Sequence, residues 1–146
     1  MDTTTTEIAD DIYRISTFVA DGEVLDLGGK RVRYLATPHV PHGWEAGLLF
    51  EETTSTLLCG DLFTQLGDEP AVRHESPMEP TIVTEDMLGY STLTPSTVPT
   101  VERLAALAPT TLAFMHGPTF VGDGHEWLND LGTNYRQRAE DAHTSG

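Results

Sequence analysis

RVRYLATPHVPHGWEAGLLFEETTSTLLCGD, residues 31–61, decides how the rest of the chain is read. Val32, Tyr34 and Ala36 alternate with Arg31, Arg33 and Leu35, the two-residue period of a strand. Just upstream, Gly28-Gly29 separates this run from Glu23-Val-Leu-Asp-Leu27, which predicts a hairpin. Thr37 to Trp44 then forms a loop rich in Pro, His and Gly. Two further apolar runs, Ala46 to Glu51 and Ser55 to Gly60, are joined by the turn Glu52-Thr53-Thr54. Because Leu48, Leu49 and Phe50 are consecutive, as are Leu57, Leu58 and Cys59, these strands are expected to be covered on both faces.

Working outward, residues 1–6 read as a disordered tail, and residues 7–142 as a single domain. Glu7 to Phe18 suggests strand, turn at Asp10-Asp11, strand, with Ile8, Ile12, Ile15 and Phe18 as its apolar positions. Downstream, Leu66 to Val83 is rich in Pro, Gly, Glu and Asp and reads as an irregular surface loop. A short helix is expected over Thr84 to Leu93 with Thr84 as its N-cap. Thr100 to Ala108 carries Val101, Leu104, Ala105 and Ala108 on one helical face, and Pro109 ends it. Thr111 to Met115 is a strand. The last helix begins at Asp123, with Glu126 completing a capping box. Its apolar face is Trp127, Leu128, Leu131 and Tyr135, and it is expected to fray near Ala139.

Composition narrows the functional classes. Twenty-three acidic residues against eight basic ones give a formal net charge of −15, a field that repels nucleic acid and anionic membranes and attracts divalent cations. No apolar run approaches the roughly 20 residues of a membrane span. The single cysteine, Cys59, permits no intrachain disulfide, and Met1-Asp2 followed by four threonines lacks the pattern of a secretory signal. A cytoplasmic protein is the expectation.

Six histidines are spread along the chain. Chemistry is expected where strands end. In Thr37-Pro-His-Val-Pro-His-Gly43 two prolines fix the backbone that carries His39 and His42. Leu57-Leu-Cys-Gly-Asp61 ends a buried strand in a carboxylate, either a site residue or the cap of the next turn. Phe114-Met-His-Gly117 ends another strand in His116, either a site residue or a hydrogen-bonded rim histidine. His74, His125 and His143 read as surface residues. Cys59 reads as a buried inert thiol, with metal or redox involvement the alternative.

The order of these features (strand, Thr-Pro-loop-His, hairpin, strand, Gly-Asp, helices, strand, His-Gly, helix) resembles the second half of the metallo-β-lactamase superfamily, over roughly Asp21 to Gly117. The resemblance implies an αβ/βα sandwich of mostly antiparallel strands with C-terminal helices. It also implies metal ligands at Asp61, which bridges two ions and is the catalytic carboxylate, and at His116. For the third ligand His42 is preferred, with His39 the alternative. His42-Gly-Trp-Glu45 is similar to the flavodiiron branch. The family's first motif, H-x-H-x-D-H or H-x-E-x-D, has no counterpart: no histidine occurs between Met1 and Ala36, so a segment is expected to be missing near Ala20-Asp21.

Three functions follow from that resemblance. The first is a zinc- or iron-binding protein with hydrolase-like chemistry on an unknown small molecule, impaired by the missing ligands. The second is a flavodiiron-like protein that binds or reduces oxygen or nitric oxide, and the third is a metal-free fragment without catalysis. The incomplete architecture is also expected to favour self-association into a homo-oligomer.

Overall fold

A computed structural model describes residues 2–44 and 46–144. Its elements are β1 (Asp2–Ala9), β2 (Ile12–Phe18), β3 (Val24–Asp26), β4 (Arg31–Ala36), β5 (Gly47–Glu51), β6 (Thr56–Gly60), β7 (Val72–Arg73), α1 (Met78–Leu88), α2 (Thr97–Ala105), β8 (Thr111–Phe114), β9 (Thr119–Val121) and α3 (Gly124–Thr144). Among the described residues no helix is long and apolar enough to cross a membrane.

Seven strands form one sheet in the order β3-β4-β5-β6-β8-β9-β7. Its pairings are antiparallel except β6 with β8 and β7 with β9. The β3–β4 hairpin turns where the two glycines predict it. Asp26 Oδ1 accepts the Gly28 and Gly29 N–H groups there, and both glycines take the positive φ that side chains resist.

Leu35, Leu48, Phe50, Leu57, Cys59, Leu112 and Phe120 project from one face of the sheet. They pack against Val101, Leu104 and Ala105 of α2 and Trp127, Leu128, Leu131 and Tyr135 of α3. The Asp123 cap forms, with its Oδ1 accepting the Glu126 N–H at 2.9 Å. Gly124 lets α3 start against the loop between α2 and β8: a Cβ there would meet the Pro109 carbonyl oxygen at 2.5 Å.

Several expectations are corrected. Residues 2–6, read as a tail, belong to β1, which pairs with β2 in a separate two-stranded sheet; Met1 lies outside the described residues. Threonine is β-branched and favours extended pairing, and Thr3 and Thr17 share a hydroxyl hydrogen bond across the hairpin. The first helix spans Met78–Leu88 rather than 84–93, so Thr84 lies inside it and Pro77 occupies the N-cap. Pro80 is tolerated because it sits in the first turn, where its missing N–H has no helical partner. Gly89, at φ 55°, closes the helix by donating to the Glu85 carbonyl. The second helix begins at Thr97, three residues early, again with a proline in its first turn. The last helix runs to Thr144 without stopping near Ala139. Finally, β5 and β6 are covered on one face only: Leu49 and Leu58 remain 37% and 42% exposed.

Candidate metal centre

Three strand-end loops meet at one rim of the seven-stranded sheet. The first follows β4. Thr37 and Val40 are buried and anchor it: the Thr37 N–H donates to the Ala46 carbonyl, and the Val40 N–H donates to the Thr37 carbonyl. Arg103 of α2 ties its start in place by donating to the Ala36 carbonyl and to Asp21, whose carboxylate also accepts the Ala36 N–H. That backbone hydrogen bond, with the guanidinium beside it, holds the Asp21 carboxyl below the ordinary carboxylate range despite some desolvation. The Val40–Pro41 peptide is cis, and His39 has φ 61°.

His42 is fixed on both ring nitrogens. Its Nδ1 lies 3.0 Å from the Tyr90 carbonyl and its Nε2 lies 2.9 Å from Asp61 Oδ2. A carbonyl only accepts, so Nδ1 carries the proton and Nε2 is turned toward the carboxylate. A backbone acceptor on one nitrogen, with the other turned toward a carboxylate, is an orientation that also suits a metal-binding histidine. Trp44 stacks on the ring at 4.4 Å between centroids. Glu45, the last residue of that quoted motif, lies outside the described residues.

Asp61 follows β6. Gly60, at φ 53°, breaks the strand alternation, so Asp61 does not follow Cys59 into the core. The Asp61 backbone carbonyl takes the Thr64 hydroxyl at 2.7 Å, while the side chain faces the histidines. His116 follows β8, its Nε2 3.3 Å from Asp61 Oδ1. Gly117 is required beside it: at φ 120°, a Cβ would come within 3.2 Å of Gln65, whose N–H donates to the His116 carbonyl.

Of the two candidates in the first loop, the structure thus brings His42 to Asp61 and leaves His39 exposed. His74, His125 and His143 are exposed elsewhere, bonded to the Val121, Ala105 and Ala139 carbonyls respectively. The Tyr90 carbonyl was missed by the sequence reading. Gly89, a helix-ending glycine next to it, is the signal that could have placed this loop.

Among the described residues no group of three or more His, Cys, Asp or Glu side chains surrounds a single point. The arrangement is two imidazole–carboxylate pairs sharing Asp61. Tetrahedral ligand bonds of about 2.0–2.2 Å imply separations of about 3.3–3.6 Å between donor atoms; the 3.3 Å His116 pair is at that spacing, and the 2.9 Å His42 pair is a hydrogen bond that would open slightly to admit an ion. Imidazole nitrogen and carboxylate oxygen are donor types that suit first-row divalent ions.

Cys59 takes no part. It is fully buried, and burial pushes its thiol pKa up. A thiol reagent at pH 8 should leave the native protein unlabelled and modify one sulfur after denaturation. Rapid labelling of the folded chain would contradict this burial.

The fold is that of the metallo-β-lactamase superfamily, with a mixed, mostly antiparallel sheet and C-terminal helices. Among solved structures, the chain is similar to the chemotaxis sensor ODP from T. denticola (TM-score 0.62, 19% identity, 77% of this chain and 48% of that one). It also resembles rubredoxin oxygen:oxidoreductase from Desulfovibrio gigas (0.57, 21%, 85% and 32%). A third is a metallo-beta-lactamase family protein from Thermus thermophilus (0.51, 23%, 84% and 36%). The chain spans about half the length of ODP and less of the other two. No family model matches the sequence. No curated protein matches it either.

Proposed function

We propose that this chain binds divalent metal through His42, Asp61 and His116, with Asp61 shared between two ion positions. One observation carries this reading: histidines from separate loops approach opposite oxygens of a single carboxylate. A divalent ion held there supplies Lewis acidity for hydrolysis, and iron supplies a redox couple in addition. Asp61 would serve both positions, the Tyr90 carbonyl sets which nitrogen of His42 would face an ion, and Trp44 shields one face of that ring. Each position has few protein donors, which leaves room for a small-molecule ligand.

The iron reading is supported by fold neighbours described as a flavodiiron protein and as a sensor carrying a diiron species. Equilibrium dialysis against zinc, and anaerobically against ferrous iron, followed by metal analysis, tests the proposal. Asp61→Ala should weaken binding more than either histidine variant, because it removes a donor from both positions. His39→Ala should bind like the parent. Equal stoichiometry in the parent, Asp61→Ala and His116→Ala proteins would sink the assignment. A visible absorption band appearing when the ferrous form meets oxygen favours the redox reading over the hydrolytic one.

A further inference from the structure

The strand β4 outruns its edge partner. Its last pair with β3 is Arg33 with Val24, yet β4 continues to Ala36. Along that edge the Tyr34 N–H donates to the Glu23 carbonyl, and the Tyr34 carbonyl accepts the Gly22 N–H. Ala36 is the next residue to face the same edge, and there two side chains take over the ladder. The Ala36 N–H donates to Asp21 Oδ1 at 2.8 Å, and the Ala36 carbonyl accepts an Arg103 N–H. Arg103 Nη1 also lies 3.2 and 3.1 Å from the two Asp21 oxygens, which closes a ring of hydrogen bonds.

Asp21 is itself held in place. It is the second residue of a turn in which the Glu23 N–H donates to the Ala20 carbonyl and the Ala20 N–H donates to Glu23 Oε2. On the opposite edge of the strand, the Thr37 N–H donates to the Ala46 carbonyl. The chain is therefore gripped on both sides where the loop to His42 begins. Only residues 37–41 separate this grip from His42. Within them Val40 is fully buried and the Pro41 carbonyl accepts the Thr92 N–H at 2.6 Å, so the loop has little slack to absorb a shift at Ala36.

We infer that Asp21 and Arg103 are positioning residues for the candidate metal centre, fixing the exit of β4 and through it the ring of His42. This role rests on the metal binding proposed for His42. It does not come from the strength of the ion pair, since exposed pairs contribute little to stability. The Arg136–Glu102 pair gives the comparison. Its side chains are 49% and 54% exposed, against 43% and 52% for Arg103 and Asp21, but it joins α3 to α2 and not a helix to a strand end.

Zinc affinity, by competition with a chromophoric chelator, and amide hydrogen exchange of the metal-free protein test the role together. Arg103→Met should weaken zinc binding by about 10-fold, the low end of what losing an orienting contact costs a metal site. Asp21→Ala should match it, and the double variant should bind no more weakly than either, because the two residues act as one unit. In Arg103→Met the Thr37 and Val40 amides should exchange about 10-fold faster while those of β8 keep the parent rates, the mark of a local opening. Arg136→Met should behave like the parent in both measurements. Parent-like zinc affinity in Arg103→Met, an equal loss in Arg136→Met, or faster exchange across the whole chain overturns the role. Unchanged exchange at Thr37 and Val40 overturns it as well, whatever the zinc result. A parent that takes up no zinc overturns the metal reading and the role that rests on it.

Discussion

Phe120→Ala is expected to remove about 3–5 kcal/mol of folding stability. Phe120 is fully buried in β9 and stands in a run of aromatic rings that crosses the core. Phe63 stacks on Phe114 at 5.1 Å, Phe114 stacks on Phe120 at 5.0 Å, and Phe120 meets the edge of Trp127 at 6.1 Å. The run links the loop after Asp61 to the last helix. Truncation leaves a cavity bounded by two rings that cannot both collapse into it, and the ring-pair interactions are lost as well. Against a total stability of about 5–15 kcal/mol, that loss is between about a fifth and the whole of it. Urea titration followed by tryptophan fluorescence measures the loss, and Phe120→Leu should lose less. A change below about 1 kcal/mol would show that the core repacks freely around β9.

Glu85→Ala is expected to cost about 2–3 kcal/mol and to weaken metal binding together with stability. Glu85 is buried in α1, where its carboxylate accepts the Ser91 hydroxyl at 2.8 Å and the Ser91 N–H at 3.2 Å. The Ser91 hydroxyl also meets the Tyr135 hydroxyl at 3.0 Å, tying the loop after α1 to α3. Without the carboxylate, two donors lose their acceptor in a place water hardly reaches. Tyr90, next along the chain, positions His42 through its carbonyl. The variant should therefore bind zinc more weakly than the parent at temperatures where both are fully folded. Glu85→Gln, which keeps an acceptor oxygen, should lie between. A destabilised Glu85→Ala protein with unchanged metal affinity would uncouple the loop from the site.

Much of the fold was legible where side-chain periodicity and turn chemistry agree. Gly28-Gly29 marked the β3–β4 hairpin, the apolar runs marked β5, β6 and β8, and Asp123 marked the start of α3. Elements whose identity depends on partners were not legible. The strand β9 has only three residues and follows Pro118, so no period can be read from it. The threonines of β1 are polar enough to pass for a solvated tail, and only their pairing with β2 reveals the strand. Two helices begin with prolines in the first turn, a pattern that also marks loops. At the site, Asp61, His116 and the Thr37–Gly43 loop stood out because each ends a strand. Within that loop it is the His42 ring that reaches Asp61. Tyr90 contributes a backbone atom, and no side-chain pattern announces that.

Left-handed backbone at two non-glycine positions beside the centre bears on engineering. His39 and Phe63 sit at φ 61° and 63°, a conformation that glycine or asparagine adopts with less strain. Selection for thermal robustness alone would drift toward those residues at position 39, which is exposed and touches neither Asp61 oxygen in this arrangement. Position 63 behaves differently, because its ring is fully buried against Phe114 and relief of the backbone would open a void. A thermostabilised descendant of this protein would thus be recognised by a changed residue 39 and a retained aromatic at 63.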